Sequence, residues 1–263
     1  MKRLSISTTT SDGISNSNSS NAFVYFYIFF GSYRDASDNT ADGLLANIVS
    51  GSKAKLNLKG VVNFNSNGYG IRTNQNDNTN TILDIVVEDG ASLTSNSNSY
   101  GFNAIGIAGA KMNVFVKDGA SLTSNSNIFH GLNANLQSGA EMNVFVNGGT
   151  LISNSNGVYG LTTYISNAIL NVVVEDGGIL DLDQNGYGFS LSLLDSSEVE
   201  INVKPGGIFT SCENASDAIR SDFIFSGTTV TFSGDGYYCG SSDFTGTPIV
   251  EPDCQSCSQA PSS

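Results

Sequence analysis

Apolar and polar residues alternate in short runs along the chain, as in Met112-Asn113-Val114-Phe115-Val116 and Leu180-Asp181-Leu182-Asp183. A period of two marks strands with one buried face, and no stretch carries the 3.6-residue period of a helix. The runs themselves recur. Their closing apolar residues, Leu58, Val87, Val116, Val146, Val174, Val203 and Phe232, stand 28 to 30 residues apart. An asparagine follows at nearly the same interval, 28 to 31 residues, at Asn39, Asn67, Asn98, Asn127, Asn156, Asn185 and Asn214. Three or four residues later comes Gly43, Gly70, Gly101, Gly131, Gly160 or Gly188 with an apolar residue after it, and only the Asn214 unit differs, with Ala218 before Ile219.

Each unit therefore reads as strand, Asp-Gly or Gly-Gly turn, second strand, asparagine corner, glycine and third strand. One such unit cannot bury its apolar side, but units stacked about 4.8 Å apart share one core and pair their backbones with the units above and below. The prediction is an all-β chain: a single right-handed parallel β-helix of about 7–8 coils, roughly 29 residues each, with three strands per coil. Leu93, Leu122, Leu151 and Leu180 form one expected inward file and the strand-end valines another, each burial contributing about 1.5–3 kcal/mol. Asparagine suits a corner because it tolerates the left-handed conformation and its amide can bond the asparagine of the next coil, while the glycines are expected to relieve the same strain.

The phrases Asp176-Gly177-Gly178-Ile179-Leu180 and Pro205-Gly206-Gly207-Ile208-Phe209, with the asparagine series, resemble right-handed parallel β-helix proteins of the pectin-lyase-like kind, and within them adhesin-like surface repeats. The resemblance covers most of residues 33 to 235. Before it, residues 1–32 read as an irregular N-terminal coil, a start that would fit a truncated product. After it, residues 236–263 read as a cysteine-containing C-terminal cap or tail.

Charge narrows the partners. A net charge of −13 and only 13% charged residues leave a surface wetted mainly by Ser, Thr, Asn and Gly, which disfavours nucleic acid and anionic membranes and leaves glycans, proteins and cations open. The apolar run Ala22 to Phe30 is far shorter than the roughly 20 residues of a spanning helix and reads as a strand, so no transmembrane segment is expected. With apolar groups on both faces, Phe23 to Phe30 is a candidate for self-association. No apolar export signal follows Lys2 and Arg3.

All four cysteines come late, Cys212, Cys239, Cys254 and Cys257. Two disulfides pinning the tail to the last coil are the leading expectation, against a zinc site built on Cys254-Gln255-Ser256-Cys257 or free thiols. Sequons stand at Asn18 and Asn214, and a buried Asn214 would carry no glycan.

Candidate chemistry is sparse. Asp181 and Asp183 alternate on one strand and would lie about 6.6 Å apart, a separation within the range of an inverting glycosidase pair. Acids on a solvent face also simply keep a sheet soluble. Turn residues Asp89, Asp118 and Asp176, helped by Glu88 and Glu175, are a weak candidate for Ca²⁺ between coils; otherwise no cofactor or metal is implied. His130, the sole histidine, stands where other units carry Tyr69, Tyr100, Tyr159 and Tyr187. Thr94, Thr123 and Ile152 give a short interrupted file of the kind that meets ice. The reading is a non-enzymatic, extracellular or cell-surface solenoid acting as a structural or adhesive scaffold for glycans or proteins. The alternatives are a carbohydrate-active enzyme, a hydrolase or lyase using Asp181 and Asp183, and an ice- or mineral-surface binder.

Overall fold

The computed structural model describes residues 12–17, 23–28, 34–38, 40–48, 52–75, 81–224 and 227–240. Over them the chain is a parallel β-solenoid without helix, with about six turns of coils near 29 residues. Three parallel sheets of eight strands run along it. A representative coil gives Tyr100–Ile107 to the first sheet, Lys111–Val116 to the second and Ser121–Thr123 to the third. Each strand inside a sheet pairs with its counterpart one coil earlier and one coil later, and sequence neighbours never pair with each other.

The turn count is slightly below the seven to eight expected, and the first coil is thin in the third sheet. Arg34–Asp35 gives the third sheet only a two-residue strand. Asp12–Ser17 and Phe23–Ile28 pair in parallel with Asp42–Ile48 and Lys53–Leu58. At the other end Tyr237–Gly240 pairs with Ile208–Ser211, which carries the third sheet past residue 235.

Inward positions make the core. Leu93, Leu122, Leu151 and Leu180 are Cα partners in succession and all are buried. The file continues into Phe209 above and Val62 below. Leu58, Val87, Val116, Val146, Val174 and Val203 form a second unbroken buried file. Phe232 does not join it. A bulge shifts the pairing from Leu191↔Ser221 to Ser192↔Phe223, and the following strand then sets Phe232 on Ile201. The extra residues displace the last strand of the second sheet along its axis, so the apparent 29-residue step from Val203 is not its structural register.

Asp-Gly and Gly-Gly turns join the second and third sheets. Gly90, Gly119, Gly148, Gly177 and Gly206 adopt positive φ there, and the turns stack through bonds such as Gly119 N–H to Gly148 O at 2.9 Å. Each turn thus satisfies a backbone group of its neighbour.

Candidate functional site

The asparagine corner, between the third and first sheets, concentrates the chain's buried polar side chains. Asn67, Asn98, Asn127, Asn156 and Asn185 are all buried and Asn214 is half-buried; Asn39 lies outside the described residues. The Oδ1 of each asparagine from 98 to 214 accepts the backbone N–H of the asparagine one coil before it, at 2.7 to 3.0 Å. Two pairs of amides also bond directly, Asn127 Nδ2 to Asn156 Oδ1 at 2.8 Å and Asn156 Nδ2 to Asn185 Oδ1 at 2.9 Å.

The left-handed residue is not the asparagine. It is the residue before it, Ser66, Ser97, Ser126, Ser155, Gln184 or Glu213, each with φ between 53° and 58°. This corrects the expectation from residue type: bending one position earlier leaves the asparagine backbone in line to hand its N–H along the axis. The glycines after the corner need correction too. Gly70, Gly101, Gly131, Gly160 and Gly188 are absent from the positive-φ residues. A Cβ on Gly101 would stand 1.7 Å from Ser124 Oγ, and one on Gly131 would stand 1.8 Å from Ser153 Oγ. Glycine is required by close approach, not by backbone conformation. The serine in question braces the corner: Ser124 Oγ donates to Gly131 O at 2.7 Å and accepts from Asn127 Nδ2 at 3.3 Å. Ser95 and Ser153 repeat this arrangement.

A second file runs beside the first. Oδ1 of Asn65, Asn96, Asn125 and Asn154 accepts the backbone N–H of residues 96, 125, 154 and 183, at 2.8 to 2.9 Å. Here the side chain reaches forward, whereas in the buried file it reaches back. Sequence reading missed this file, although the doubled spacing in Ser-Asn-Ser-Asn was its signal.

Asp183 occupies the next place in that second file. Its Oδ1 accepts the Cys212 N–H at 2.5 Å and the Thr210 hydroxyl at 2.9 Å. Burial raises its carboxyl above the usual aspartate range; the two hydrogen bonds work against that, and the charges of Asp181 and Glu213 add to it. Asp181 ends the strand Ile179–Asp181, and its Oδ1 accepts the Asp183 N–H at 3.2 Å. Both carboxylates are therefore engaged with backbone at the corner.

The turn acids Asp89, Asp118 and Asp176 are exposed. Their expected helpers pair with lysines of adjacent coils, Glu88 with Lys117 at 2.6 Å and Glu175 with Lys204 at 2.7 Å. Among the described residues no group of three or more His, Cys, Asp or Glu is arranged to hold a metal ion. A shallow groove lies here, lined by the stacked rings of Phe115 and Phe145, 5.1 Å apart, with Asp89, Asp118, Asn147 and Glu175 around them. On the same sheet Asn113, Asn143 and Asn171 form a chain of amide hydrogen bonds that begins at Asp84.

Along the first sheet, Tyr69, Tyr100, His130, Tyr159 and Tyr187 line up in one aromatic file at centroid spacings of 5.0 to 5.4 Å, Tyr69 stacked on Tyr100 and His130 edge-on to Tyr100. Arg72 lies over Tyr69 and Arg220 over Tyr187. His130 Nδ1 is buried without a hydrogen bond, and burial lowers the ring's pKa to about 4 against a smaller upward effect of the Phe129 backbone. Beside it Ile128 and Phe129 project into solvent. Thr94 and Thr123 pair on the third sheet, and Ile152 and Asp181 follow in the same file.

Cys212 and Cys239 are buried, and neither is a free thiol; Cys254 and Cys257 lie outside the described residues. Asn214 Nδ2 donates to Ser211 Oγ at 3.1 Å, which occupies the amide a glycan would need. Asn18 lies outside the described residues, as do Ala22, Phe29 and Phe30. No helix among the described residues is long and apolar enough to cross a membrane. Comparison with known proteins returns no match: no family model, no curated protein and no solved structure is similar to this chain.

Proposed function

We propose that the chain is a non-enzymatic structural or adhesive solenoid, working outside the cell or at its surface, whose flanks contact glycans or protein surfaces. One observation carries this reading. The polar groups at the corners, Asp183 included, are spent on cross-coil hydrogen bonds and Asp181 accepts a backbone N–H within its own coil, while the outward files are amides, hydroxyls and aromatic rings in repeating register. Such a surface makes many weak, regularly spaced contacts. The groove over Phe115 and Phe145 combines apolar floor with polar rim, as ligand clefts do. Disulfides at Cys212 and Cys239 would suit an oxidising compartment, and kinship with pectin-lyase-like or adhesin-type β-helices belongs to the same proposal. Self-association through Phe23–Ile28 is part of it, because that strand ends the second sheet among the described residues.

The rival reading is a carbohydrate-active enzyme. It has one observation in its favour, a half-buried Asp183 with a raised pKa beside Asp181. Incubation with a panel of polysaccharides separates the two. The scaffold reading expects retention on some members of the panel with no new reducing ends. Reducing ends that appear with wild type and vanish in Asp183→Asn would overturn it. That variant restores the residue other coils carry at this position, so its fold is expected to survive. Absence of retention on every glycan and on cell-surface protein extracts would also overturn it, and ice-crystal shaping would move the assignment to a surface binder.

A further inference from the structure

The chain contains four Asn-Gly pairs, at Asn67, Asn147, Asn156 and Asn185. This dipeptide is the one most prone to intramolecular imide formation, because glycine leaves its own nitrogen unhindered. The fold treats the four differently. Asn67, Asn156 and Asn185 are buried in the corner file with their amides or backbones held by neighbouring coils. The nitrogen that would attack is also engaged in two of them, Gly157 N–H on Asn127 O at 2.9 Å and Gly186 N–H on Asn156 O at 3.3 Å.

Asn147 is the exception. It is exposed, its side-chain amide makes no hydrogen bond among the described residues, and Gly148 N–H donates none. It sits in the turn Asn147-Gly148-Gly149, where Gly148 has φ 63°. From Val146 to Leu151 this turn is one residue shorter than from Val116 to Leu122 or from Val174 to Leu180. Its own side chain borders the groove formed by Phe115, Phe145, Asp118 and Glu175.

We propose that Asn147 is a site of spontaneous modification, a built-in deamidation that converts a neutral rim position of the groove into a carboxylate. Gly148 N attacks Asn147 Cγ, a C–N bond forms, and the bond from Cγ to Nδ2 breaks. Ammonia leaves with the proton released from Gly148 N. Water then opens the imide: addition at the backbone carbonyl gives isoaspartate, addition at the former Cγ gives aspartate. No oxidant or reductant takes part. The product carries one more negative charge beside Asp118 and Glu175, and the isoaspartate form lengthens the backbone by one methylene in the turn that is one residue short. Reaction at Asn156 or Asn185 first requires opening the file, which breaks at least two hydrogen bonds; at about 1 kcal/mol net each, Asn147 should react more than tenfold faster than either.

The test is peptide mass mapping of the full chain during incubation in mildly alkaline buffer. Expected is a gain of about 1 Da confined to the peptide holding Asn147, mostly as isoaspartate. Asn147→Gln should abolish it, because the larger ring closes slowly. In denaturing urea all four pairs should convert at similar rates, which shows that the selectivity belongs to the fold. Conversion of Asn156 or Asn185 in native protein as fast as Asn147 would overturn the proposal, and so would an Asn147 that stays intact while the unfolded chain converts. The readout is mass alone and does not depend on whether the groove binds a glycan.

Discussion

Asn127→Ala tests the corner file at a central, fully bonded member. Asn127 Oδ1 accepts the Asn98 N–H at 3.0 Å, and its Nδ2 donates to Asn156 Oδ1 at 2.8 Å and Ser124 Oγ at 3.3 Å. Truncation strands the Asn98 N–H inside a corner where that residue has no exposure. An orphaned buried donor costs about 1–3 kcal/mol and each of the two further net hydrogen bonds about 1, so the expected loss is roughly 3–5 kcal/mol. Urea unfolding followed by circular dichroism reads it, with Asn113→Ala as the comparison. Asn113 bonds its neighbours in the same repeating way on the outer face of the second sheet, where water can replace the lost partners and a cost of under about 1 kcal/mol is expected. Asn127→Asp adds a pH signature. It keeps the acceptor but sets a carboxylate oxygen against Asn156 Oδ1, in a buried site that must raise the carboxyl's pKa. An acid whose folded pKa is raised destabilises only where the unfolded chain has lost its proton. Asn127→Asp should therefore approach the wild type below about pH 3.9 and lose stability as the pH rises through its higher folded pKa. Equal costs for Asn127→Ala and Asn113→Ala, or an Asn127→Asp penalty independent of pH, would refute the reasoning.

Gly131→Ala should cost more than about 3 kcal/mol or prevent folding, because its Cβ would meet Ser153 Oγ at 1.8 Å; Gly90→Ala, with open space around its Cβ, should cost only about 1 kcal/mol for its left-handed backbone, and a thermal melt of the two distinguishes them. His130 has a folded pKa near 4, below the ordinary histidine value, so its neutral ring supports the fold above about pH 6.5 and that support drains away as the pH falls toward 4. Melting temperatures across this window should fall more steeply for wild type than for His130→Phe, and parallel curves would contradict the assignment. Alkylation without reductant should leave Cys212 and Cys239 unlabelled, and reduction under denaturing conditions should expose both; labelling of either in the untreated denatured chain would exclude the disulfides.

The architecture was legible because a solenoid writes its tertiary contacts as sequence periodicity. Leu93, Leu122, Leu151 and Leu180 are equivalent in sequence and vertical neighbours in space for one reason: each coil roofs the next, so a repeat in the chain is a contact in the core. The corner was legible as a position and illegible as a mechanism. Residue type pointed to asparagine for the left-handed turn, yet Ser97 and Ser126 take it, because what asparagine supplies is an amide long enough to reach the adjacent coil. The need for Gly131 is a distance to Ser153, 22 residues away in sequence, and no local pattern contains it. Asp183 read as a free carboxylate on an alternating strand, and only the stacking of Cys212 and Thr210 against it shows that the group is engaged. Phe232 kept the 29-residue step and lost the register, since a bulge between Ser221 and Phe223 is a backbone event invisible to spacing. The sequence by itself determined the period, the strand faces and the core files, which follow from alternation and burial; which polar group meets which, and in what direction along the axis, was decided by the approach of one coil to the next.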